Sequence, residues 1–261
     1  MIENKIIIIN LISLKTIINK EVIRILRIWP QTILPQIVTT SLYFLIFGNL
    51  IGKRIGHMSS YTYIEYIIPG LIMMAIITSS YSNVVSSFFG SKFQKNIEEI
   101  LISPTYNITI IIGFASGGII RSFIIYILIL ITSSIFSNIH FYNIIIFTLA
   151  YITTSILFSF LGLINGIFAK KFDDISIIPT FILTPLIYLG GIFYSIDILP
   201  ENLKIYVYIN PIFYINNTFR YGVLGISEIN IFTAFSIMIA LIITILTVSI
   251  YLLNKGHEIK K

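Results

Sequence analysis

The side chains that hold a proton, a metal or a phosphate are few in this chain and far apart. His57, His140 and His257 lie in or near expected loops and the C-terminal end, and none has a second ligand beside it at metal-site spacing. The run Gly113–Gly118 is rich in glycine but lacks the Lys-Ser or Lys-Thr step with which a phosphate cradle closes. In an apolar segment such glycines read as packing notches. With no cysteine, neither a disulfide framework nor a thiolate site is possible. Asp173 and Asp174 adjoin Lys170 and Lys171, and surface pairing accounts for them better than catalysis does. Glu65, close to Tyr61, Tyr63 and Tyr66, has two readings: contact with a polar substrate, or an acid snorkelling at an interface. No catalytic set, cofactor site or metal site is expected.

Charge is concentrated in one island, Lys92-Phe93-Gln94-Lys95-Asn96-Ile97-Glu98-Glu99-Ile100-Leu101-Ile102-Ser103-Pro104. At helical period Phe93, Ile97, Ile100 and Leu101 share one face, and Lys92, Lys95, Asn96 and Glu99 share the other. Pro104 ends the pattern, because its ring excludes a continuing helix. Such a helix between two membrane spans lies along the surface and shows its polar side to something soluble. We read that as an ATP-hydrolysing partner. A solvated loop helix with no partner fits this stretch equally well.

The elements that hold the island are made of oil. Of 261 residues, 56% are hydrophobic and only 11% charged, with a mean hydropathy of +0.95. A soluble domain carries about a quarter charged residues, so the chain reads as an integral membrane protein. The +6 net charge then belongs to the inner faces of spans and not to a nucleic-acid surface. The start of the chain, an apolar run broken by Asn10, has no small-residue cleavage site and is not read as a cleaved signal.

Leu11, Leu14, Ile18, Val22, Ile25 and Trp29 form an apolar stripe at spacings of three and four, beside a basic stripe of Lys20, Arg24 and Arg27. Followed by Trp29-Pro30, this predicts an amphipathic helix lying flat at the membrane surface. Spans need about 20 apolar residues each. Six are expected, at Gln31–Ile51, Tyr61–Val85, Ile108–Phe136, Ile144–Phe168, Ile175–Tyr194 and Ile231–Leu253, with Pro69-Gly70 as a kink in the second. Ser155, Ser159, Gly162 and Gly166 on one face of the fourth are read as close helix packing. From Ser195 to Asn230 the chain is too apolar for an ordinary loop yet interrupted by Asn210, Asn216, Asn217 and Arg220, which suggests re-entrant or interfacial helices.

Orientation follows from the cations. Lys5, Lys15, Lys20, Arg24, Arg27, Lys92, Lys95, Lys170, Lys171, Lys255, Lys260 and Lys261 fall on the expected inside, against Lys53, Arg54, Lys204 and Arg220 outside. That bias places both termini in the cytoplasm. Arg121, within the third span, either snorkels to the inner interface or is a buried charge in need of a partner. One membrane domain is expected over residues 22–253, between a cytoplasmic segment at 1–21 and a cytoplasmic tail at 254–261.

Three stretches resemble the ABC-2-type transporter permeases, the membrane subunits of bacterial ABC exporters. Glu98-x-Ile100-Leu101-x-x-Pro104 is similar to that family's acidic segment after the second span, although Asn96-Ile97 stands where most members have Gly-Thr. Leu183-x2-Leu186-x2-Leu189-Gly190-x-Ile192-x6-Leu199-Pro200-x10-Pro211-Ile212-x-Tyr214-x5-Arg220 fits the family's long signature, its specificity resting on Gly190, Pro200, Pro211, Tyr214 and Arg220. Tyr66-x-x-Pro69-Gly70 is the third.

The resemblance implies an all-α, multi-pass inner-membrane subunit with six transmembrane helices, an N-terminal interfacial helix, a cytoplasmic coupling helix and a re-entrant outer segment. Such a subunit pairs with a second copy and with cytoplasmic P-loop ATPases. Lys92, Gln94, Lys95, Asn96, Glu98 and Glu99 would then face the ATPase, together with the interfacial helix carrying Lys20, Arg24, Arg27 and Trp29. A secondary transporter or channel working without an ATPase would instead predict a buried carboxylate or paired inverted half-spans. A membrane-bound transferase would predict clustered polar residues on one face. The sequence displays neither pattern, and it names no substrate.

Overall fold

The structure is a computed structural model that describes residues 2–137 and 140–256. His257, Lys260 and Lys261, and with them most of the expected tail, lie outside the described residues. Helix α1 (Ile2–Arg27) leads into α2 (Trp29–Ile55), which Pro30 and Pro35 divide near its start and which loosens to π geometry over Phe44–Ile51. A two-residue hairpin follows, β1 (His57–Met58) against β2 (Tyr61–Thr62). Ser59 and Ser60 both take positive φ, the turn that suits the strand twist.

Helix α3 (Tyr63–Phe93) is the most buried of the long helices and the one the others surround. Its 31 residues reach about 46 Å at 1.5 Å per residue, well beyond a hydrocarbon core of about 30 Å. The short α4 (Asn96–Ile102) comes next, then α5 (Asn107–Phe136) and α6 (Ile144–Phe168), the latter capped by the Asn143 side chain accepting from Ile145 and Ile146 N–H. Helix α7 (Asp174–Leu189) is shorter. After a 3-10 turn at Ile196–Ile198 come α8 (Glu201–Ile209), α9 (Pro211–Leu224) and α10 (Ile231–Lys255). Helices α5, α6 and α9 pack on α3, while α1 packs along α5 and α10 along α6.

The small-residue faces do the packing expected of them. A Cβ on Gly162 would stand 2.6 Å from the Tyr81 carbonyl oxygen, and one on Gly166 3.1 Å from the Phe88 ring. The notch glycines of α5 act likewise: Gly113 admits Ile17, and Gly118 admits Val84 and Ser159.

Among the described residues, five helices are long and apolar enough to cross a membrane: α2, α3, α5, α6 and α10. The fifth expected span differs. The expected span runs to Tyr194, but α7 stops at Leu189, where Gly190 caps it and Gly191 (φ +75°) turns the chain in a left-handed conformation open to glycine. Its 16 residues rise only about 24 Å. The helix of the third expected span begins at Asn107, with Arg121 four turns along it, and the Arg121 Nη2 donates to the Thr32 carbonyl at 2.8 Å. Its partner is backbone on α2, not an acid.

Candidate functional site

The charged island is built as two pieces. Helix α3 ends when Lys95 takes φ +61°, and α4 restarts at Asn96 in a new direction. Lys92 therefore belongs to the last turn of α3, where its Nζ donates to the carbonyls of Ile167 (2.6 Å) and Ala169 (2.9 Å) at the end of α6. A cation there meets the negative end of that helix's dipole. The sequence reading had Lys92 on one polar face with Lys95, Asn96 and Glu99; the kink separates them. Phe93 departs too: it is 62% exposed and stacks edge-on against Phe172. Of the expected apolar face Ile97 is buried, with Ile100 and Leu101 packed against the core beside it. Gln94, Lys95, Asn96, Glu98 and Glu99 are all exposed, and Ile102 at the tip of α4 is 85% exposed. Ser103 ends the helix by donating Oγ to the Ile100 carbonyl, one residue before Pro104.

Helix α1 packs on the fold through a face that partly overlaps its apolar stripe, with Ile25 buried and Leu14, Ile18 and Val22 half-buried. Asn10, Ile17, Glu21 and Ile25 are buried, whereas Leu11 and Trp29 of the expected stripe are exposed. The reason is polar. Glu21 has no exposed surface, receives the Ser87 hydroxyl and pairs with Arg24 at 2.9 Å. Arg24 in turn donates to the Asn83 side-chain oxygen at 2.8 Å. Gly117 leaves room for this group, since a Cβ there would stand 2.7 Å from Glu21 Oε2. Further along, Asn10 Oδ1 accepts from Tyr106 N–H and Thr109 Oγ1, and Lys20 Nζ donates to Ser91 Oγ at 3.0 Å. Lys20 and Arg24 are thus tied to α3; of the basic stripe, Arg27 is exposed without such a tie to α3. Sequence reasoning missed Glu21, Asn10 and Asn83. The available signal was an acid three residues before Arg24 in a chain short of acids. An open groove of about 410 Å³ separates α1 from α4, lined by Thr16, Lys20, Asn96 and Glu99 among others.

At the opposite end of α3 the signature residues meet the second-span motif. Arg220, 2% exposed, sits over the Tyr66 ring at 4.0 Å, donates to the Gly191 carbonyl and lies 3.7 Å from Glu228. Tyr66 donates its hydroxyl to the Tyr194 carbonyl, and Asn216 donates to the Gly190 carbonyl at 3.0 Å. Gly70 permits the approach: a Cβ would stand 2.8 Å from Ile192 and 3.1 Å from Asn216. Pro211 opens α9 behind Asn210, whose side chain accepts from Ile212 N–H. Tyr214 donates to the Tyr208 carbonyl, and the Pro200 carbonyl accepts the first α8 N–H groups. On exposed α8, Glu201 accepts from Lys204 and holds its ammonium above the ordinary lysine value. Arg220 thus ties α9 to α3, Gly190 ties the turn after α7 to α9, Tyr214 ties α9 to α8, and Pro200 and Pro211 open those two helices.

Glu65 has a local task. Its Oε2 accepts from the Thr62 N–H at 2.9 Å and hydroxyl at 2.7 Å, closing a capping box at the start of α3. It also lines a cleft of about 230 Å³ with Tyr61, His140 and Tyr142. Among the described residues no three His, Asp or Glu side chains converge as a metal would need.

The chain is similar to known proteins over most of its length. Residues 12–224 match the ABC-2 type transporter family. Over 249 residues the chain is 45% identical to the inner membrane transport permease YadH of Escherichia coli (strain K12), covering 95% of this chain and 97% of that one. The protein of the same name from Shigella flexneri matches with the same identity and coverage.

Proposed function

Since the chain belongs to the ABC-2 type transporter family, we propose that it is the membrane-spanning permease of an ATP-driven exporter in the inner membrane, with ATP hydrolysed on a separate chain. The observation that carries this reading is α4. A short helix exposing Asn96, Glu98 and Glu99 hangs by an exposed turn, Gln94-Lys95, from the most buried helix of the fold. A surface so placed is a lever: force applied to it passes directly into α3. Lys92, clamped to the end of α6, spreads that force to a second long helix.

In the proposed mechanism, ATP binding draws two partner P-loop ATPases together, α4 and the adjoining α1 follow, and the helices rotate as rigid bodies to open a path outward. Two copies of this chain would face each other across that path, with both termini in the cytoplasm as the cation bias requires. Helix α7 serves as the fifth of six crossings despite its length, and α8 and α9 form a re-entrant cap at the outer end. Arg27 and Trp29, exposed at the α1–α2 junction, rest at the inner membrane surface.

Co-purification of the full chain with each P-loop ATPase from the same cell tests the reading. One ATPase should bind the wild type and be lost or uncoupled in Glu98→Arg. If none binds the wild type, the energy source lies elsewhere and a secondary transporter or channel replaces the exporter.

A further inference from the structure

A second cavity, distant from α4, opens within the transmembrane body. Its volume is about 380 Å³, and Leu157, Leu161, Ile182, Leu186, Leu241 and Ile245 supply much of its wall from α6, α7 and α10. That is within the roughly 300–1,000 Å³ range of small-molecule sites. Ile182, half exposed, marks its mouth on α7. Only two lining residues carry polar side chains, Tyr81 of α3 and Asn165 of α6. Asn165 donates to the Ile175 carbonyl. The Tyr81 hydroxyl is buried and makes no well-aligned hydrogen bond among the described residues, with the Asn165 side chain as its one weak neighbour.

An apolar cavity of this kind does not hold water stably, since water needs two to four polar partners. A buried hydroxyl this weakly paired also calls for an acceptor. We infer that the cavity binds one acyl chain, with its carboxyl or ester oxygen accepting from Tyr81. The chemistry fits no hydrophilic ligand: there is no cation to hold a phosphate or a sugar acid, and one hydroxyl cannot satisfy a sugar. A hydrocarbon chain bearing a single oxygen acceptor satisfies both wall and hydroxyl. This inference needs only the membrane setting and is independent of the ATPase reading.

The test uses the full chain reconstituted in phosphatidylcholine vesicles. One set carries a phosphatidylcholine with a diazirine in its acyl chain, the other a free diazirine fatty acid, and adducts are mapped by peptide mass spectrometry after illumination. Adducts should concentrate on residues 157–165 and 178–186 over the lipid-exposed surface of Ile127, Ile131 and Ile135. Leu161→Trp, which fills the cavity, should abolish the first group and leave the second; Ile182→Trp at the mouth does the same where Leu161→Trp does not fold. Tyr81→Phe should reduce labelling by the fatty acid. Labelling by both probes makes bilayer lipid the source, and labelling by the fatty acid alone makes it a single-chain amphiphile. Adducts no denser in the cavity than on the α5 surface, or undiminished by both tryptophans, overturn the inference.

Discussion

The guanidinium of Arg220 lies 4.0 Å above the centre of the Tyr66 ring, joining α9 to α3, the central helix of the fold. Both groups are almost fully buried, so the ring face and the Gly191 carbonyl stand in for the water that the cation has lost. Nothing in the order of the chain announces this pair, 154 positions apart, except that each belongs to a short motif of its own.

Arg220→Leu should therefore be severe. It leaves Glu228 without its cation and the Gly191 carbonyl without its donor, at a cost of about 3–5 kcal/mol by analogy with broken buried pairs. Thermal unfolding in detergent should show a large drop in Tm. Tyr66→Phe keeps the ring face and loses one hydrogen bond, worth about 1 kcal/mol; Tyr66→Leu should fall between the two.

Glu21 anchors α1. Glu21→Leu removes the acceptor of Ser87 and the partner of Arg24, and hydrogen exchange across residues 10–25 should rise steeply while exchange in the middle of α6 stays unchanged. Glu21→Gln retains hydrogen bonding and should show a smaller rise. Equal exchange in all three proteins would mean that the pair does not hold the helix.

Glu98→Arg acts on an exposed site with no tertiary partner to lose, so stability should change by no more than about 0.5 kcal/mol. Under the proposed exporter reading, its effect belongs to partner binding alone. A matching loss of Tm would show that α4 is a structural element first.

Glu65→Ala removes a helix cap. The expected cost is about 0.5–2 kcal/mol, the usual range for removing such a cap, with transport of the chain's cargo retained once the protein is folded. Transport lost at unchanged Tm would instead give Glu65 a direct role with substrate.

Gly162→Val brings a branched side chain against the Tyr81 carbonyl, where a Cβ alone would stand 2.6 Å away. The α3–α6 contact is backbone to backbone and has no flexible neighbour to yield. Overpacking of about 1–3 kcal/mol or more is expected, seen as lost monodispersity in size-exclusion chromatography.

The long apolar helices, the stop before Pro104 and the packing notches of α5 and α6 were all legible in the residues. Apolar runs of membrane length need no tertiary information, and a proline or a glycine acts on the backbone wherever it stands. The signature residues could likewise be named from their spacing, though not their embrace of Tyr66 and Gly70. Tertiary structure alone decided that Lys92 clamps α6, that Phe93 is exposed, that α1 buries Asn10 and Glu21, and that α7 ends at Gly190. The physical reason is that lipid tails are as apolar as leucine, so the protein-facing and lipid-facing sides of a span look alike in sequence. Burial of a polar side chain is then set by the partner that meets it across the fold, as Asn83 and Ser87 meet Arg24 and Glu21.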